Sequence, residues 1–157
     1  MASNDTGVKD SREELQVVIF TLGDEELAFD IGEVREIVRI PEITRVPKAP
    51  RFVEGVINLR GQIKTVLNLK KKLGLKDEVV DKEGKIIIVE KKEQTFGIVV
   101  DSVVGVFKIR TEHITDPSSL LGGEKSAFIR GIGRMDDRLV IILEAERLFS
   151  LEEMALS

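Results

Sequence analysis

The sequence predicts a mainly β protein made of two small, similar barrels. Many short runs of β-branched and aliphatic residues are separated by turn residues, and the long strand–helix–strand pattern of a parallel sheet is missing. The 157-residue chain also repeats itself in two blocks. Because units of this size bury little surface alone, we expect them to pack on each other through a shared apolar seam, an arrangement that leaves room for strand exchange between the barrels.

The internal repeat keeps its register over long stretches. Residues 17–40 shifted by 69 positions fall on 86–109 without a gap, and residues 52–73 shifted by 76 positions fall on 128–149. Strand alternation shared by any two β-rich segments is the alternative explanation, but the two blocks keep the same order and their glycines match. The additional positions lie in segment 116–126, which is predicted to be a long mobile loop because insertions collect in loops.

The first half of the chain begins with a polar segment, 1–14, which is predicted to be a flexible arm because it carries little apolar surface to bury. A β-hairpin turning at 22–25 follows. Asp30 and Glu33 then resemble a capping box, which predicts a short helix starting at Ile31. Apolar residues recur there at helical spacing: Ile31, Val34, Ile37 and Val38.

Two strands joined at Arg60 and Gly61 follow, and a helical turn at 70–73 ends at Gly74. The three lysines of that turn are predicted to form a solvated face. The second half predicts five strands, at 85–90, 95–100, 104–109, 129–135 and 138–143. An amphipathic helix over about 144–156 completes the chain.

The composition excludes several classes of function. With 24 Lys and Arg against 28 Asp and Glu, the net charge of −4 disfavours binding to nucleic acid. The chain has no cysteine, and its one histidine, His113, leaves no multi-histidine metal site, so we assign His113 no role. The longest apolar run, 139–143, is far too short to cross a membrane. We therefore expect a cytoplasmic protein that has no cofactor and is not an enzyme.

Four segments form a recognisable combination, at 20–26, 55–61, 96–101 and 152–156. The most specific part is the Asn-Leu-Arg-Gly motif that ends at Gly61. Together the segments resemble the CheW family of bacterial chemotaxis coupling proteins. The resemblance covers 15–157 and would place a first repeat at about 17–73, a second at about 86–149 and the C-terminal helix after it.

The resemblance implies a fold and a role. The fold would be two five-stranded barrels of SH3-like topology. The role would be a non-catalytic scaffold that couples the cytoplasmic tips of methyl-accepting chemoreceptors to the regulatory domain of the histidine kinase CheA, a paralogue of this fold. We expect a monomer that is recruited to the inner face of the membrane through the receptors, without inserting into it. A CheW-like adaptor of another sensory array, such as one controlling type IV pili, is the alternative.

The resemblance also marks eight candidates for partner binding. They are Ile31, Val34, Glu36, Gly55, Arg60, Gly61, Ile63 and Leu156. Arg60 stands out on its own, because it occupies a predicted hairpin tip where the second repeat has acids. The planar guanidinium of arginine holds carboxylates in fixed geometry, and Glu36 is a candidate partner.

Some of these candidates also have a purely structural interpretation. A hairpin turn explains Gly61 but does not require the arginine before it. Gly55 has a twin in Gly131, which favours shared backbone geometry over binding. One-sided apolar stripes such as that of Ile31 and Val34 are usually core, and partial exposure in a groove is the alternative.

Overall fold

The computed structural model describes residues 13–75, 79–117 and 127–148, which form a mainly β structure. In chain order the elements are β1 (Glu14–Leu22), β2 (Glu25–Asp30), a 3₁₀ turn (Ile31–Glu33), β3 (Val34–Arg39), β4 (Val53–Leu59), β5 (Gln62–Leu67), α1 (Leu69–Leu73), β6 (Lys85–Lys91), β7 (Gln94–Val100), β8 (Ser102–Arg110), a second 3₁₀ turn (Thr111–His113), β9 (Ile114–Thr115), β10 (Ile129–Met135) and β11 (Arg138–Leu143). A further helical stretch occupies 145–148.

Several predictions reach beyond the described residues. Of the predicted arm, 1–12 lie outside, and β1 begins at Glu14. Of the predicted loop, 118–126 lie outside, as does everything after 148 in the predicted C-terminal helix, including Leu156. In the ranges that are described, no helix is long and apolar enough to cross a membrane.

The strands form two sheets that exchange strands between the repeats. The six-stranded sheet has the order β8-β1-β2-β11-β10-β9, and the five-stranded sheet has the order β3-β6-β7-β5-β4. Each sheet therefore joins the first hairpin of one repeat to the later strands of the other. The parallel contacts lie at the two joints, between β2 and β11 and between β5 and β7.

Each sheet closes on itself through a segment that continues from an edge strand. In the six-stranded sheet, the chain leaves β8 through a 3₁₀ turn and pairs Thr115 of β9 with Ile132 of β10. In the five-stranded sheet, Thr44 follows β3 and bridges to Val56 of β4. The two edges of each sheet are thus connected, which gives two small barrels.

Gly55 and Gly131 allow these closing segments to cross the barrels. Gly55 has a φ of +153°, and a Cβ there would lie 2.3 Å from the carbonyl oxygen of Thr44. A Cβ at Gly131 would lie 2.6 Å from the side chain of Ile114. Both glycines are buried, and at both positions a side chain would collide with the segment that closes the barrel.

The largest apolar cluster lies between the two barrels, and two smaller clusters fill their interiors. In β1, Ile19 faces its own barrel while Phe20 faces the seam; in β6, Ile88 and Val89 alternate in the same way. A strand with both faces buried reads as a continuous apolar run. This explains the uninterrupted apolar runs at 17–20 in β1 and 86–89 in β6.

The predicted helix from Ile31 is wrong beyond its first turn. Asp30 does cap that turn, because its Oδ1 accepts a hydrogen bond from the Gly32 amide at 2.9 Å. From Val34 onward, however, the chain is the strand β3, which pairs antiparallel with β6 and carries a bulge after Val34. Pairing across the repeats and the β-branched residues of this segment outweigh the local spacing.

The predicted helical turn after β5 is present as α1, but its lysines do not share one solvated face. Asn68 caps α1 and Gly74 ends it with a φ of 72°. Lys70 is only 4% exposed. Its Nζ lies 2.8 Å from Oδ1 of Asp101 and donates to the Val79 carbonyl oxygen at 3.1 Å. The expectation of a solvated Lys70 was wrong because the second repeat places a carboxylate over this helix.

Candidate partner-binding surface

The tip of the β4–β5 hairpin is built from two consecutive residues in left-handed conformation. Arg60 has a φ of 52° and Gly61 a φ of 88°. Asn58 supports the turn, since its Oδ1 accepts a hydrogen bond from the Gly61 amide at 2.8 Å. Two positive φ values match the twist of a tight hairpin. This local chemistry explains why the Asn-Leu-Arg-Gly motif forms the tip.

Arg60 occupies a backbone position that arginine does not favour. The left-handed region suits glycine, asparagine and aspartate, and other residues adopt it with strain. The second repeat follows that preference, because Asp136 stands at the equivalent tip with a φ of 51°. The turn therefore does not explain an arginine at this position. The reason must lie in what the arginine side chain contacts.

The guanidinium of Arg60 forms a two-pronged ion pair with Glu36 of β3. Nη1 donates to Oε1 at 3.0 Å and Nη2 donates to Oε2 at 2.5 Å. These hydrogen bonds lower the pKa of Glu36 and raise the pKa of Arg60. The Arg60 side chain is still 67% exposed. An exposed pair adds little to stability, but this one holds a charged group in a single orientation at the surface.

Exposed aliphatic side chains lie on β3 and β5, the strands on either side of this ion pair. Ile63 is 66% exposed on β5, two residues after the tip, and its cross-strand partner is Asn58. Ile37 of β3 is also exposed. Arg35 and Lys64 line a depression beside the ion pair. This end of the five-stranded barrel thus combines a fixed charge with exposed apolar area, the usual make-up of a protein interface.

The predicted site residues fall into several groups. Glu36, Arg60 and Gly61 come together at the hairpin tip, with Ile63 next to them. Ile31 is exposed in the 3₁₀ turn, whereas Val34 is half-buried against the main apolar cluster. These two residues belong to a turn and a strand and do not form the predicted helical stripe. Gly55, as described above, is buried and shapes the backbone.

Sequence reasoning missed two further exposed aliphatic residues. Leu139 is 65% exposed on β11, and Val106 is exposed on β8. They are the repeat counterparts of Ile63 and Ile37, at shifts of 76 and 69 positions. Each barrel therefore presents aliphatic residues at equivalent places, and the register of the repeat was the signal that could have revealed the second pair.

Within the described part of the chain, no group of acidic or histidine side chains is arranged to hold a metal ion. The charged groups of the hairpin tip are instead occupied with each other. What the arrangement offers is a preorganised surface for another macromolecule.

Comparison with known proteins identifies the family. The family model described as CheW-like domain matches residues 16–153. The chemotaxis protein CheW of Thermotoga maritima is 38% identical, with 88% of this chain and 90% of that protein covered, and the one of Helicobacter pylori is 36% identical, with 94% and 88% covered. The crystal structure of the scaffolding protein TtCheW from Thermoanaerobacter tengcongensis superposes with a TM-score of 0.76 at 38% identity, covering 83% of this chain and 88% of that one. The chain therefore belongs to the CheW-like domain family of chemotaxis scaffold proteins.

Proposed function

We propose that this scaffold couples the cytoplasmic tips of chemoreceptors to the regulatory domain of the histidine kinase CheA, without catalysis of its own. The observation that carries the proposal is Arg60, held by Glu36 on a strained tip where the other repeat has an acid. A residue kept at a conformational cost, and oriented toward solvent, serves a contact outside the chain.

The shape of the molecule supports two separate contacts. A barrel end that carries a fixed ion pair and the exposed Ile63 suits docking against another barrel. Ile31, in the 3₁₀ turn, and Val34, the first residue of β3, lie where the chain passes from one barrel to the other. We propose that the receptor hairpin binds in an apolar groove between the barrels and that a paralogous barrel of the kinase binds at a barrel end.

The proposal places the protein in the cytoplasm, as a monomer that reaches the inner face of the membrane only through the receptors. The weaker alternative is that the protein is an adaptor of a different sensory array, such as one that controls type IV pili. The relatives reported above both carry the name chemotaxis protein CheW.

Kinase activation in a reconstituted complex tests the proposal. Arg60→Ala should keep its melting temperature and activate the kinase about tenfold less at limiting adaptor concentration, because an interface arginine is lost. Arg110→Ala is the matched control, since Arg110 also forms an exposed ion pair, with Glu112 at 2.7 Å, but stands apart from the hairpin tip. If Arg60→Ala activates as well as the parent, the proposed contact is wrong.

A further inference from the structure

A cleft opens between the two barrels and shares Glu90 and Glu93 with the depression beside Arg60. Its volume is about 710 Å³. The walls come from both sheets: Asp30 and Arg130 belong to the six-stranded sheet, and Glu90 and Lys91 belong to the five-stranded sheet. Glu33, from the 3₁₀ turn between β2 and β3, also lines it.

Glu33 is a buried carboxylate, and one of its two oxygens accepts no hydrogen bond within the described part of the chain. The residue is 7% exposed, and its Oε1 receives no hydrogen bond from any described residue. The other oxygen, Oε2, lies 3.7 Å from Nζ of Lys91. A buried carboxylate oxygen without a donor is costly, and burial raises the pKa of Glu33 to about 6.

The cleft carries more acids than bases, and its bases are already paired. Its lining holds five carboxylates, including Glu93 and Glu144, and three cations. Arg130 is paired with Asp30 at 3.2 Å, and Lys92 is paired with Glu146 outside the lining at 2.5 Å. No cation in the described lining is left to reach Oε1 of Glu33.

The internal repeat shows what fills the equivalent place on the other side of the seam. There, Lys70 of α1 reaches across to Asp101, whose Oδ2 also accepts the Gly23 amide at 2.6 Å. Shifted by 76 positions, Lys70 becomes Glu146, so the ammonium group is replaced by a carboxylate. Shifted by 69 positions, Gly23 becomes Lys92, which pairs with that carboxylate. Both repeats thus hold a cation–carboxylate pair here, with the partners reversed, and in the second repeat Lys92 pairs with Glu146 and leaves Oε1 of Glu33 without a donor among the described residues.

We propose that the Glu33 cleft receives a basic side chain, lysine or arginine, from a partner protein. The ammonium or guanidinium group pairs with the carboxylate of Glu33, which lines the cleft. The volume of the cleft suits a side chain with its stem and adjoining backbone rather than a free ion. Glu33 is not part of the ion pair between Arg60 and Glu36.

The test uses the full chain and defined probes. The peptides acetyl-Gly-Gly-Arg-Gly-Gly-amide, its lysine analogue and its glutamine analogue are titrated at constant ionic strength, and amide and carboxyl chemical shifts are followed by NMR. We expect the two basic peptides to cause saturable shifts centred on Glu33, with the glutamine peptide causing none. Glu33→Gln should weaken binding of the basic peptides at least about fivefold, because a charged acceptor is lost.

Controls separate the proposed site from general attraction to an acidic protein. Glu25→Gln, at the exposed first residue of β2 and outside the cleft, should bind the basic peptides like the parent. The Glu33→Gln protein should keep its spectrum outside the cleft, which shows that it is folded. The proposal is overturned if the basic peptides give no saturable shift, if Glu33→Gln binds them equally well, or if ethylammonium binds as tightly as the lysine peptide, which would make the site one for a free amine.

Discussion

The hairpin tip shows how a single residue departs from local preference. The turn between β4 and β5 would accept asparagine or aspartate at position 60 more readily than arginine. The chain nevertheless carries Arg60, and Glu36 of a different strand fixes its direction. The residue type at position 60 is therefore explained by the contacts of its side chain and not by the conformation of its backbone.

Arg60→Asn separates these two requirements. Asparagine tolerates a φ of 52° better than arginine does, so the melting temperature should stay equal or rise. Coupling between receptor and kinase should fall, because the guanidinium is gone. Asp136→Asn, at the equivalent tip of the second repeat, is the control and should leave coupling intact. A lower melting temperature for Arg60→Asn, together with normal coupling, would mean that Arg60 serves the fold.

Glu33 gives the protein a pH-dependent stability. Burial raises its pKa from 4.5 to about 6, so the folded state holds a proton more tightly than the unfolded state. This contribution is fully present below about pH 4.5 and is lost as the pH rises through about 6. The loss in the free energy of unfolding should reach up to about 2 kcal/mol.

Urea unfolding of the parent and of Glu33→Gln from about pH 4.5 to about pH 7 measures this effect. As the pH rises, the free energy of unfolding of the parent should fall relative to that of Glu33→Gln. Parallel pH profiles for the two proteins would show that Glu33 titrates normally.

At the scale of elements, the closing segments depend on glycine where they cross the barrels. Gly55→Ala places a Cβ 2.3 Å from the Thr44 carbonyl oxygen at a positive φ, so the crossing segment must move. We expect a loss of about 1–3 kcal/mol in the free energy of unfolding, measured by urea denaturation. Gly32→Ala is the control, because its nearest neighbour would lie at 3.4 Å and its φ is not positive. Equal stability of the two variants would contradict the crossing role of Gly55.

The contact between α1 and the second repeat depends on one buried ion pair. Lys70→Met should lower the free energy of unfolding by about 2–4 kcal/mol, because Asp101 is left without its cation in a poorly hydrated place. Lys72→Met, on an exposed residue of the same helix whose Nζ lies 5.4 Å from the ring centre of Phe52, should cost much less. Equal stability of the two variants would contradict a stabilising role for the ion pair between Lys70 and Asp101.

At the scale of the whole molecule, local patterns predicted most of the fold. The hairpin at Arg60 and Gly61 and the last hairpin, β10 to β11, were confirmed, because turn residues define them within a few positions. The seam between the barrels was also confirmed, since runs of apolar residues in β1 and β6 require burial on both faces.

The wrong predictions share a physical cause. Local spacing predicts a helix where β3 forms, because β6, the strand that pairs with β3, is far away in sequence. The sequence predicts a solvated Lys70 because its partner, Asp101, belongs to the other repeat. The ion pair of Arg60 and Glu36 could be proposed from charge, but its two-pronged geometry depends on how the barrel closes.

A scaffold that couples two proteins must hold both at once. Size-exclusion chromatography with light scattering on a mixture of the chain, a receptor hairpin-tip fragment and the CheA regulatory domain measures this directly. We expect a species whose mass contains all three components, while the chain alone elutes as a monomer. A mixture that yields only pairwise complexes, with the receptor fragment and the kinase domain displacing each other from the chain, would contradict the coupling role.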